Sequence, residues 1–133
     1  MGAWSELPFG NDTACDWAYG LEDSEDLSYI EETLQTVLDA GDDYLEAPAG
    51  DEAIAAAEVV AWLHGKPSPR DAYSEDVSTW VEAHPIKPTA ALIKKAIAAL
   101  DRIKREPSEL LSLWEGNEKW AVSVAELRAR LAS

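Results

Sequence analysis

Residues 51–64 run Asp-Glu-Ala-Ile-Ala-Ala-Ala-Glu-Val-Val-Ala-Trp-Leu-His and stop at Gly65. Wound as a helix, this segment is apolar on nearly every side, so it needs neighbours all round to hide it from water. It is the expected core element, and the rest of the chain has to supply partners with one apolar face each.

The flanking sequence supplies them. After Asp26, residues Leu27, Ile30, Leu34, Val37 and Leu38 follow the three-and-four spacing of one helical face, with Glu31, Glu32, Gln35 and Asp39 outside it. Gly41 is placed to end that helix in the left-handed conformation. Asn11 or Asp12 can cap a first helix running to Tyr19 and closed by Gly20. Ser74 can cap a segment through Ala83, ahead of Pro85. Pro88 opens a long helix with an apolar stripe of Ile93, Ala96, Ile97, Leu100 and Ile103; Lys94, Lys95, Arg102, Lys104 and Arg105 form the remaining, basic face. Pro107 starts a helix ending at Gly116, and Asn117 caps a last one in which Trp120, Val124, Leu127 and Leu131 share a face.

No run alternates with a period of two and β-branched enrichment, so no sheet of consequence is expected. The fold class is all-α: one domain over residues 1–133, a bundle of about seven short antiparallel helices, with solenoid-like helix pairs as a variant. The 133 residues are enough for one domain with a real core. Residues 65–73, with Pro67 and Pro69, form the one expected linker or exposed loop.

Charge divides at that loop. Residues 1–65 contain sixteen Asp or Glu and no Lys or Arg, whereas residues 66–133 contain ten acids and eleven bases. A field of that sign repels nucleic acid and anionic lipid, which excludes those partners, and attracts a basic protein. An acid-rich surface also serves solubility alone. Some acids can be neutralised internally by the basic helix after Pro88, so the binding surface is to be sought among those left unpaired. The expected contact residues lie between Glu22 and Glu46: Glu22, Asp23, Glu25, Asp26, Asp42, Asp43 and Glu46, with Tyr44 as an aromatic anchor.

Catalytic signatures are missing: there is no Gly-x-Ser-x-Gly, no phosphate-binding glycine loop and no His-Glu-x-x-His. No cofactor is implied. His64 and His84 both fall at helix C-termini, where an imidazolium favours the helix dipole. Glu58 sits inside the apolar run with Trp62 one turn on. It reads either as a desolvated general base, or as a carboxylate that faces a groove or pairs with Lys94 or Arg102. The acidic clusters 22–26 and 39–43 do not match the register of a calcium loop, so no metal site is expected. Five of the six tryptophans (Trp17, Trp62, Trp80, Trp114 and Trp120) fall on different helices, as core anchors would; interface anchoring is the alternative.

The single Cys15 has no companion for a disulfide or a zinc site and reads as a small buried hydrophobe in a reducing compartment. No signal-peptide pattern, membrane span or myristoylation signal is present, Glu6 standing where the last needs Ser or Thr. A cytoplasmic location is expected.

The first residues add a further pattern. Met1, Gly2, Ala3 and Trp4, followed by Phe9, Asn11, Asp12, Ala14, Asp16 and Trp17, resemble the opening of a bacterial family catalogued as domain of unknown function number 4259. That family begins Met-Gly-Ala-Trp-Gly, then Phe-x-Asn-Asp-x-Ala-x-Asp-Trp, and Ser5 stands here in place of its glycine. The similarity continues through the Ala56–Ala61 run and the Trp114 region. It implies a bacterial origin and a helical fold, and it carries over no catalytic residue. Physically, Trp4 and Phe9 flank Pro8, and an aromatic before the cap can staple onto the first helical turn near Cys15 and Asp16. The same residues (Trp4, Asn11, Asp12, Asp16 and Trp17) form the alternative, an N-terminal binding site.

Taken together, these features favour an acidic protein-binding module over an enzyme: an immunity-type inhibitor presenting acids to a basic toxin such as a nuclease. The competing expectations are an enzyme or divalent-metal-dependent protein centred on Glu58 and the acidic loops, and a purely structural protein.

Overall fold

In the computed structural model, residues 8–68 and 74–133 are described. They form seven helices: α1 (Asp12–Leu21), α2 (Ser28–Asp39), α3 (Ala47–Leu63), α4 (Glu75–Ala83), α5 (Ala90–Ile103), α6 (Glu109–Leu113) and α7 (Glu118–Ala132). The described residues contain no strand; Leu45 and Ser108 form an isolated parallel bridge.

The segment that is apolar all round is the hub. α3 packs against each of the other six helices, and Ala53 through Trp62 are buried without a break. Stacked helix pairs would each touch only their neighbours; a helix touching every other one is a different arrangement. Nor do all packed pairs oppose their ends. His64 Nε2, at the C-terminus of α3, lies 3.0 Å from the carbonyl oxygen of Ser133, at the C-terminus of α7.

Around the hub, each amphipathic helix buries the stripe its spacing marks out. Ile30, Leu34 and Val37 of α2 are fully buried, as are Ala96, Leu100 and Ile103 of α5, and Trp120, Val124, Leu127 and Leu131 of α7 lie within 4% exposure. Caps are local. Asn11 Oδ1 accepts from Ala14 N at 2.7 Å, Thr89 Oγ1 from Leu92 N at 3.1 Å, and Asn117 Oδ1 from Trp120 N at 3.1 Å, each satisfying a helix-terminal amide. Gly41, Gly65 and Gly116 end α2, α3 and the α6 turn with φ of +54°, +80° and +81°, conformations that burden any residue with a Cβ.

Several boundaries differ from expectation, each for a packing reason. α1 continues through Gly20 to Leu21. Gly20 is a close-approach glycine, because a Cβ there would run into the Tyr29 hydroxyl, which donates to the carbonyl of Trp17 at 3.0 Å. α3 begins at Ala47, four residues before Asp51, with Pro48 in the first turn, where its missing N–H leaves no intrahelical bond unmade. Its N-terminus is capped from across the fold: Ala47 N donates to Glu109 Oε1 at 2.7 Å. α6 is shorter than expected and starts after Ser108, whose Oγ accepts from Leu111 N. Cys15 is half-buried, its Sγ 3.4 Å from the carbonyl oxygen of Phe9, so it borders the core where full burial was expected.

Candidate binding surface

α2 carries its core on one side and acids on the other. Residues 28, 31, 32, 36 and 39 are exposed, and at 100° per residue they fall on a single stripe opposite Ile30, Leu34 and Val37. Twelve residues of helix give that stripe a length of about 18 Å. At its two ends sit the loops that hold Glu22, Asp23, Glu25 and Asp26, and Asp42, Asp43, Tyr44 and Glu46, all exposed. The two clusters are therefore separated by the helix length and joined along it by Glu31, Glu32 and Asp39.

Neutralisation is partial and comes from the expected helix. Lys95 Nζ lies 3.1 Å from Glu31 Oε1, and Arg105 Nη1 lies 3.2 Å from Asp42 Oδ1. At the other end, His84 Nε2 is 3.5 Å from Glu25 Oε2. Asp26 is committed locally: its Oδ1 accepts from Ser28 Oγ at 2.6 Å and Ser28 N at 3.0 Å, which holds its carboxyl below the usual range. Glu22, Asp23, Glu32, Asp39, Asp43 and Glu46 make no ion pair with a described residue.

Tyr44 stands 59% exposed among the acids that follow α2. Partial desolvation, then the Glu109 and Glu46 carboxylates, push its phenol above the ordinary value, so it remains a neutral donor at neutral pH. Glu109 was invisible as a neighbour in the sequence, since 65 positions separate it from Tyr44.

The loop holding Tyr44 is positioned by Arg102. Placed on the basic surface by its spacing, Arg102 is instead 5% exposed. Its Nε donates to Gly41 O at 2.8 Å, its Nη2 to Asp43 O at 2.7 Å and Pro107 O at 3.0 Å, and its Nη1 to Arg105 O at 2.8 Å. One guanidinium thus ties the α2–α3 loop to the α5–α6 loop. Leu45 N donating to Pro107 O at 3.1 Å and Glu109 N to Leu45 O at 2.8 Å complete the junction.

The N-terminal motif separates into structural and exposed members. Asn11 is the α1 cap, and Trp17 is 3% exposed, stacked on Tyr29 with centroids 5.1 Å apart and donating from Nε1 to Thr33 Oγ1 at 2.7 Å. Asp12 and Asp16 face solvent, while Trp4 lies outside the described residues. Asn11 and Trp17 thus pin α1 to the fold and do not present themselves as a ligand surface.

Glu58 has no exposure at all. Its partner is Arg130 of α7, not Lys94 or Arg102: Nη1 donates to Oε2 at 2.5 Å and Nη2 to Oε1 at 2.7 Å. Arg130 also donates to Glu126 Oε2 and to the carbonyl of Lys66. Burial alone would lower the Arg130 pKa; the hydrogen bonds to Glu58 and Glu126 outweigh it and raise it. A carboxylate filled by a bidentate guanidinium and shut from solvent is a tie between α3 and α7, with no lone pair aimed at a substrate.

Seven residues earlier on α3, Asp51 is half-buried, and desolvation, then repulsion from Glu52, push its carboxyl up to about 6. A raised acid pKa means the folded state holds a proton that the unfolded chain has released, so stability falls as pH rises from about 4 to about 6. Asp51→Asn is expected to stabilise the protein by about 1 kcal/mol at pH 7.5, allowing for solvent screening, and to make no difference near pH 3.5. Urea melts of both proteins across that range check it, and an equal effect at both ends would refute the assignment.

Among the described residues no group of three or more His, Cys, Asp or Glu is arranged to hold a metal ion, and no helix is long and apolar enough to cross a membrane.

The fold and surface define a helical protein built on a buried hub helix, with a one-sided acidic stripe. The chain belongs to the family described as Domain of unknown function (DUF4259), whose model matches residues 2–123. No curated protein and no solved structure matches it.

Proposed function

We propose that this protein is an acidic binding module for a basic protein, in the form of an immunity-type inhibitor that occludes a basic bacterial toxin such as a nuclease by presenting carboxylates in place of phosphates. The observation that carries this reading is the α2 stripe with its two end loops: Glu22, Asp23, Glu32, Asp39, Asp43 and Glu46 are exposed and without an ion pair to a described residue, and Tyr44 stands exposed at one end. Unpaired surface carboxylates speed encounter with a positive partner, and an exposed tyrosine supplies the apolar contact that holds it. A cytoplasmic site of action accompanies the proposal.

The test is affinity capture from the native cell, followed by calorimetry on the purified partner. The expected partner is basic, and its affinity falls steeply between 50 and 300 mM salt. Asp43→Asn/Tyr44→Ala/Glu46→Gln should weaken it by at least tenfold, about 1.4 kcal/mol or more. A partner that is not basic, or an affinity indifferent to salt, would sink the proposal.

A further inference from the structure

On the side of the molecule built by the C-terminal end of α5, by α6 and by the first turn of α7 lies a cavity of about 410 Å³. It is made from residues 104–121, apart in sequence from the α2 stripe. Its apolar wall comes from Leu111, Trp114 and Trp120; the two indoles are parallel to within 4° with centroids 6.3 Å apart. Trp120 is buried, whereas Trp114 keeps part of its surface open. Three acidic residues, Glu106, Glu115 and Glu118, are among those that line the same cavity, against one basic residue, Lys104. The helix ends do not overturn that balance, since the positive N-terminus of α7 at Asn117 is offset by the negative C-terminus of α5 at Lys104.

We infer that this cavity is a docking site for an arginine side chain presented by a partner polypeptide. The methylene stem would lie along Leu111 and the indole wall, the planar guanidinium would stack on the open face of Trp114, and the rim carboxylates would accept its N–H groups. Charge complementarity selects the sign of the ligand. The aromatic wall selects a planar, weakly hydrated cation that stacks over a compact, strongly hydrated ammonium. The site stands independently of the α2 stripe.

Titration of the 15N-labelled protein with N-acetyl-argininamide, N-acetyl-lysinamide and N-acetyl-norleucinamide, followed at the indole Nε1–H resonances, tests it. The arginine compound should shift the Trp114 and Trp120 signals and leave those of Trp17 and Trp80 in place. The lysine compound should bind about threefold more weakly and the neutral one weaker still. Glu118→Gln, an exposed change that does not touch the core, should weaken arginine binding about threefold, and Trp114→Ala should abolish it. No shift at Trp114, or equal binding of the norleucine or lysine compound, would overturn the assignment.

Discussion

Replacing Arg102 with methionine is expected to lower the unfolding free energy by about 3–4 kcal/mol, a large share of the 5–15 kcal/mol that holds a domain of this size together. The guanidinium is 5% exposed and donates to the carbonyls of Gly41, Asp43, Arg105 and Pro107. A buried acceptor that loses its donor costs about 1–3 kcal/mol, and charge-assisted bonds lie at the upper end. The total stays below four times that figure because Gly41, Asp43, Arg105 and Pro107 are all exposed residues, so water can replace part of what their carbonyls lose. Lysine cannot rescue the site: its single nitrogen does not span acceptors on two loops.

Urea melts should show a lower midpoint with an unchanged slope. Hydrogen exchange at the Leu45 and Glu109 amides, which close the same junction, should accelerate more than at α7. A loss under 1 kcal/mol would mean that the junction is held by its backbone bonds alone. The consequence for function is direct, because the loop that Arg102 fastens presents Asp42, Asp43, Tyr44 and Glu46.

Arg130→Met is expected to cost about 3–5 kcal/mol, since it strands a carboxylate that has no exposure to water. The sign of the pH dependence identifies the cause. Without its cation, Glu58 becomes a buried acid whose charged form is disfavoured, so the folded variant takes up a proton that the unfolded chain releases. The deficit of the variant should therefore shrink as pH falls from 8 towards 5. Adding Glu58→Met should recover much of the loss at pH 8, because apolar groups of similar size replace a buried ion pair with little net effect. Failure of the double variant to regain stability would show that the Arg130 bonds to Glu126 and Lys66, rather than Glu58, are what α7 depends on.

These two arginines mark where reading the chain by spacing stops working. The 3.6-residue periodicity correctly separates Leu100 and Ile103 from Lys104 and Arg105, but it cannot see that the α2–α3 loop folds over Arg102 and supplies two of its carbonyl acceptors. Glu58 is recognisable in the sequence as a carboxylate in an apolar run, and spacing alone offers it Lys94 or Arg102 as a partner. The actual partner lies 72 positions away on α7, whose sequence gives Arg130 no distinction from Arg128. The cap of α3 by Glu109 belongs to the same class, as does the role of Gly20, which looked like a helix end until Tyr29 was placed against it.

What the sequence determined alone is everything that rests on local bonds and on one-dimensional charge. Helix positions follow from i to i−4 pairing and apolar stripes, chain reversals from glycines that tolerate positive φ, and the hub from the only segment with no polar side. The concentration of acid before residue 65 is a property of the linear chain and holds whatever the fold. The tertiary structure decided which of those charges remain available. Packing α5 beside α2 spends Glu31 and Asp42 on Lys95 and Arg105, and burying Glu58 and Arg102 removes one acid and one base from the surface. The acids of α2 form one exposed stripe because the helix can turn only its polar side outward once Ile30, Leu34 and Val37 are buried.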